Sequence, residues 1–184
     1  MDNLERSNAI VGFNNRRDRQ KDDYYATPVE STAALLSVEK FDGKIWEPCC
    51  GEGHMAKELE RHGYYVESTD LVDRGFGDSG VDFLMEYKKR DNIVTNPPYK
   101  NALAFVRHAT DLANRKVAML LKLNFLEGVE RSEFFKHTPP KRVHVFKRRQ
   151  ALMKNGVPYV GGMMALAWYV WEGNHQGDTV IKWI

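Results

Sequence analysis

Cysteine is nearly absent from this 184-residue chain, which carries two, adjacent at Cys49 and Cys50. Adjacent cysteines supply neither a disulfide framework nor the spaced pairs of a structural zinc site. Long apolar runs are missing too. The longest covers residues 163–171, whereas a membrane-spanning helix needs about 20. The opening Met1-Asp2-Asn3-Leu4-Glu5-Arg6 lacks the apolar stretch of a signal peptide. The expectation is a soluble, cytoplasmic protein without a membrane partner. An excess of one charge is the third absence. Lysine and arginine total 27 against 25 acids, a formal net charge of +2. Any basic surface must therefore be local. What is present is 42% hydrophobic and 28% charged residues, the composition of a globular domain with a real core.

Residues 1–23 are polar and mixed in charge, with Arg16, Arg17, Arg19 and Lys21 among Asp18, Asp22 and Asp23. They read as a mobile arm or a partly ordered lid before a single domain at 24–184. Thr27-Pro28-Val29-Glu30 reads as a helix start, with Thr27 as cap, Pro28 at the first helical position and Glu30 closing a capping box. Strands are expected at 44–46, 64–69, 92–95, 117–123, 142–146 and 163–171, and helices at 55–62, 102–113 and 130–136. Residues 74–80 and 150–162 read as glycine-bearing loops. Strands alternating with helices imply an α/β fold, a Rossmann-like doubly wound and mostly parallel sheet covered on both faces. Ligands in such folds bind at the carboxyl ends of the strands.

Glu47-Pro48-Cys49-Cys50-Gly51-Glu52-Gly53 follows the first strand and opens a helix. Gly51 and Gly53 allow a sharp turn and a close backbone approach. A dinucleotide loop has a third glycine, and Ala56 does not restore that spacing. Glu47 would repel a phosphate and suits a cation such as a protonated amine. Asp70 ends the next strand, where an acid commonly accepts from a ribose hydroxyl pair. Asp82 could accept from an adenine amino group, with the Phe83 ring on the adenine face. Together these strand ends outline a pocket for a positively charged nucleoside without phosphate, such as S-adenosylmethionine.

The most informative stretch is Asn96-Pro97-Pro98-Tyr99, directly after a buried strand. With it the sequence resembles the amino-methyltransferases that use S-adenosylmethionine, and more narrowly the adenine-N6 DNA methyltransferases, small phage-encoded ones included. The resemblance spans roughly residues 24–171 and implies a seven-stranded methyltransferase-type sheet. It matches Asn96, Pro97, Pro98 and Tyr99 to the catalytic tetrad. Glu47, Cys49, Gly51 and Gly53 fall in the cofactor loop, and Asp70, Asp82 and Phe83 at the ribose and adenine contacts. Tyr25, Thr27 and Pro28 match the element that closes over the cofactor, and Asn96 borders the same site. The motif order is that of the gamma group. It implies that Asn96 and the Pro97 carbonyl accept hydrogen bonds from the target amine, that Tyr99 stacks on the flipped base, and that no metal is needed.

Residues 134–171 contain no acid, while Lys136, Lys141, Arg142, Lys147, Arg148, Arg149 and Lys154 fall within them. Lys141, Arg142, Lys147, Arg148, Arg149 and Lys154 are the candidate phosphate contacts for DNA, or less strongly RNA. Relatives often place an aromatic residue after the basic run. Here Gln150-Ala151-Leu152-Met153 stands there, leaving Leu152 or Tyr159 as the other wall of a base pocket. Specificity is expected from loops or a partner subunit, and a homodimer is open. The alternatives are an RNA-adenine or protein-glutamine methyltransferase, or a non-catalytic subunit that keeps the fold.

Overall fold

The computed structural model describes residues 25–154, 157–173 and 175–184, with the side chains of residues 151–163 outside that description. The arm expected at 1–23 lies outside the described residues. In chain order the elements are α1 (Val29–Val38), β1 (Ile45–Glu47), α2 (His54–Arg61), β2 (Val66–Asp70) and β3 (Asp78–Ser79). Then follow β4 (Arg90–Thr95), α3 (Ala102–Leu112), β5 (Ala113–Lys122), α4 (Val129–His137), β6 (Arg142–Val145), β7 (Gln150–Lys154), β8 (Val157–Met164), β9 (Leu166–Glu172) and β10 (Val180–Trp183).

The main sheet has eight strands in the order β10-β6-β9-β5-β4-β1-β2-β3, and β7 with β8 forms a separate ribbon. Only β9 runs antiparallel to its neighbours β5 and β6. The expected seven-stranded sheet is thus corrected to eight, because β10 adds a parallel edge strand beside β6. β1 pairs in parallel with both β2 and β4. The chain therefore builds outward on one side of β1 and then returns to the other, which opens a crevice at the carboxyl ends.

Alternate residues of the central strands divide the core into two layers. Trp46, Ile93, Met119, Leu121 and Tyr169 pack with Phe105, Val106 and Ala109 of α3. Their neighbours Ile45, Val94, Ala118, Leu120 and Trp168 pack on the opposite face with Leu35 and Leu36 of α1 and Met55 and Leu59 of α2. Both faces are covered, which explains why these strands read as unbroken apolar runs. No helix among the described residues is long and apolar enough to cross a membrane.

Three local expectations change. Thr27 does not cap α1: Pro28 takes the cap position without a side-chain bond, and the Thr27 hydroxyl accepts from Asn96 instead. The loop expected at 150–162 is the β7–β8 hairpin, with Met153 opposite Pro158 and Lys154 opposite Val157. Proline is tolerated there because a two-stranded ribbon has only edges. The overlooked signal is Asn155-Gly156, a dipeptide favoured in two-residue hairpin links. The long strand at 163–171 divides at Ala165, since β8 belongs to the ribbon and β9 to the main sheet.

Candidate active site

A cavity opens at the carboxyl ends of β1, β2 and β4. Tyr25, Thr27, Glu47, Cys49, Asp70, Asp82, Phe83 and the whole of Asn96-Pro97-Pro98-Tyr99 line it. Glu47, Cys49, Asp70 and Asn96 to Tyr99 meet there because each ends or closely follows a strand of one sheet, and Tyr25 and Thr27 join them from the segment before α1.

Glu47 ends β1 and is 2% exposed. Its Oε2 has no hydrogen-bond partner. Burial, reinforced by the carboxylates of Asp70 and Glu60, pushes its pKa well above the ordinary carboxylate range against one hydrogen bond from the Ala56 N–H. A buried carboxyl on a cavity wall with an oxygen to spare is complementary to a cationic donor. Burial raises the pKa of both neighbouring thiols, Cys50 to about 12 and Cys49 in the same direction, which disfavours their thiolates.

Asp70 ends β2 and organises the glycine loop. Its Oδ2 accepts the Gly51 N–H at 2.9 Å and its Oδ1 the Val72 N–H at 2.9 Å. Gly53 has φ +78°, and a Cβ there would come within 2.4 Å of the Phe76 ring. That glycine is required by its backbone conformation and by the Phe76 ring packed against it. Asp82 accepts the Leu84 N–H at 3.0 Å and turns the chain. Phe83 lines the cavity with a ring buried at 2%, 5.2 Å from Trp46 and 5.0 Å from Phe105, so most of its area is spent on packing. Leu71, by contrast, is 61% exposed and lines the cavity beside Asp70. Sequence reading passed over it. The available signal was an apolar residue directly after a strand-ending acid.

Asn96 is held by the amino-terminal element. Its Nδ2 donates to Tyr25 O and to Thr27 Oγ1, each at 3.1 Å. With the nitrogen engaged by that element, Oδ1 remains as the side chain's acceptor on a residue that lines the cavity. Pro98 O accepts the Asn101 N–H at 3.1 Å, closing a turn. The Tyr99 ring lies 6.5 Å from the Tyr25 ring at 20° between planes. Lys122, the last residue of β5, places its Nζ 5.1 Å from the Tyr99 centroid.

The basic span divides. Arg142 opens β6 at the far end of the sheet's parallel strands, where its Nη2 meets Glu39 at 2.9 Å and Glu172 at 2.7 Å. Lys141 pairs with Glu172 at 3.1 Å. These two side chains are held in ion pairs and do not line the cavity. Lys147, Arg148 and Arg149 follow the carboxyl end of β6, on the side of the sheet where the strands carrying the cavity also end, and are exposed. Lys154 lies in β7, and its side chain, like those of Leu152 and Tyr159, is outside the described residues.

No protein-family model matches the chain, and no curated protein matches it. Solved structures do. A putative RNA methyltransferase from Pyrococcus horikoshii has a TM-score of 0.62 at 14% identity, covering 95% of this chain and 100% of that one. A modification subunit of a putative type I restriction enzyme from Vibrio vulnificus has a TM-score of 0.59 at 12% identity, covering 96% of this chain and 48% of that one. The chain thus spans about half the length of that subunit. Magnesium protoporphyrin IX methyltransferase from Synechocystis, crystallised with S-adenosylmethionine, has a TM-score of 0.51 at 15% identity, covering 92% of this chain and 91% of that one. The likeness establishes the fold: a mostly parallel α/β sheet of the kind found in methyltransferases.

Proposed function

We propose that the chain is an S-adenosylmethionine-dependent methyltransferase that acts on the exocyclic N6 amine of adenine in DNA after base flipping. The observation that carries this reading is the orientation of Asn96. Its amide nitrogen is engaged by Tyr25 O and Thr27 Oγ1, so its oxygen is the group offered to a substrate. An adenine amine is a poor nucleophile because its lone pair is delocalised into the ring. Asn96 Oδ1 and Pro97 O would accept its two N–H bonds and stabilise the charge that grows on nitrogen. Tyr99 would hold the base by stacking, and the rigid Pro97-Pro98 backbone would fix its angle of approach.

The cavity residues fit the cofactor. The orphaned Glu47 oxygen suits its cationic end, Asp70 retains lone pairs for ribose hydroxyls, and Leu71 offers an apolar wall for adenine in place of Phe83. When bound, S-adenosylmethionine supplies an electrophilic methyl group. Exposed Lys147, Arg148 and Arg149 would take phosphates and offset the few kcal/mol of unstacking. The type I restriction-enzyme likeness supports a DNA substrate and a partner subunit, and the gamma-group motif order agrees with an adenine target.

The test incubates the protein with isotopically labelled S-adenosylmethionine and DNA, RNA or protein, and identifies the product by mass spectrometry. N6-methyladenine in DNA is expected. Methyladenine in RNA alone or methylglutamine in protein would move the same Asn96 chemistry to another substrate. No methylated product with any of them would leave a binding subunit.

A further inference from the structure

The basic loop and Asn96 are joined by a path of hydrogen bonds. Asn96 Nδ2 donates to Thr27 Oγ1 at 3.1 Å. The next residue, Pro28, accepts the Ser31 N–H at 3.0 Å in the first turn of α1. Ser31 Oγ donates to Gln150 Oε1 at 2.9 Å, across 119 residues of sequence. Gln150 Nε2 then donates to Arg148 O at 3.0 Å. Ser31 is fully buried at 0% exposure, and its own carbonyl accepts from Trp168 Nε1 at 2.8 Å. This turn of α1 is therefore fastened to the sheet on one side and to Gln150 on the other.

Gln150 does not line the cavity. It opens β7 immediately after the basic triad. Its amide works as a two-ended link, with the oxygen toward α1 and the nitrogen toward the loop backbone. These bonds would carry a displacement of Tyr25 or Thr27 through the first turn of α1 to Gln150 and to Arg148. Coupling of this kind is reciprocal, because each ligand changes the other's affinity by the same factor.

We propose that Ser31 and Gln150 are positioning residues that couple the basic loop to Asn96 and its holding element, so that nucleic acid on Arg148 and its neighbours and cofactor in the cavity tighten each other's binding. The inference rests on the nucleic-acid reading given above. The experiment measures affinity for an adenine-containing oligonucleotide with and without saturating S-adenosylhomocysteine. In the parent the product is expected to tighten binding about fivefold or more, the lower end of ordinary coupling between sites. In Gln150→Leu the oligonucleotide affinity without product stays within about twofold of the parent, affinity for the product alone is unchanged, and the tightening disappears. Ser31→Ala breaks the same link from its other side and is expected to give the same result. A Gln150→Leu protein that tightens as the parent does, or a parent indifferent to the product, overturns the inference. A parent that binds no nucleic acid overturns the proposed function, and the inference falls with it, so the two failures are distinguishable.

Discussion

Two glutamates, one at each end of the sheet's parallel strands, are about equally buried and have opposite chemistry. Glu39, just after α1 at the far end, is 4% exposed, and Glu47, at the cavity, is 2% exposed. Burial alone would raise both. At Glu39 hydrogen bonds from His144, Arg142 and Lys116 outweigh it and bring the carboxyl down to about 2. At Glu47 there is one backbone hydrogen bond and two carboxylate neighbours, and the carboxyl stays well above the usual range. The far end is a structural network in which Glu39, just after α1, binds β5 and β6, and Arg142 extends it to Glu172 of β9. The near end keeps an acid short of partners, the condition of a site that awaits a ligand.

The largest expected effect belongs to the near end. Asn96→Ala removes the acceptor aligned on the target amine and is expected to lower turnover by about 10²–10³, the scale for one preorganised contact at a developing charge. Single-turnover methylation measures it, and parental turnover would remove Asn96 from the chemistry. Next, Arg142→Met at the far end is expected to cost about 3 kcal/mol of stability in urea unfolding. This is the lower end for breaking a buried pair, because Lys116 and His144 still face Glu39. Activity per folded molecule should not change. A loss of activity without a loss of stability would move Arg142 to the substrate side.

Glu47→Gln sharpens the contrast. It keeps an acceptor for the Ala56 N–H and removes the charge, so cofactor affinity is expected to fall by about tenfold to a hundredfold, as for a lost charge-assisted hydrogen bond. Stability without cofactor should move the other way. Glu47 has a folded pKa above its unfolded value, so its contribution is present below about pH 4.5 and is lost as pH rises through the raised value. The variant should therefore be more stable than the parent at pH 7, with the gap closing below about 4.5. Glu39 works in the reverse sense: its stabilisation is complete above 4.5 and is lost as pH falls toward about 2. Unfolding curves of Glu47→Gln and Glu39→Gln across pH 2–8 separate the two, and parallel profiles would refute the assignment. The smallest effect contrasts the halves of the basic span. Arg148→Glu with Arg149→Glu should weaken oligonucleotide binding at all sequences and reduce the salt slope by about one per lost phosphate contact. Lys141→Glu, already paired with Glu172 at the far end, should leave the slope as it was.

The order of strands and helices was legible because apolar runs between turn residues mark buried strands, and these runs survive in β4, β5 and β9. Strand ends at Glu47, Asp70 and Asn96 were legible for the same reason, since an acid or amide after such a run lies at the strand's carboxyl end. The hairpin at 150–164 was missed because local turn residues signal a loop without stating what the flanking segments pair with. Phe83 is buried and Leu71 is exposed, and aromatic or aliphatic character alone does not say which apolar residue the core takes up.

The amino-acid sequence by itself determined the alternation of elements, the rigid Asn96-Pro97-Pro98-Tyr99 turn and the glycine loop, all of which depend on neighbours within a few residues. Only the tertiary structure decided which charges are free to act. Arg142 and Arg148 look alike in one acid-free run, but Glu39, 103 residues away from Arg142, neutralises the first. Electrostatic partners are chosen by distance in space, and that distance is set by the sheet order that places β9 between β5 and β6.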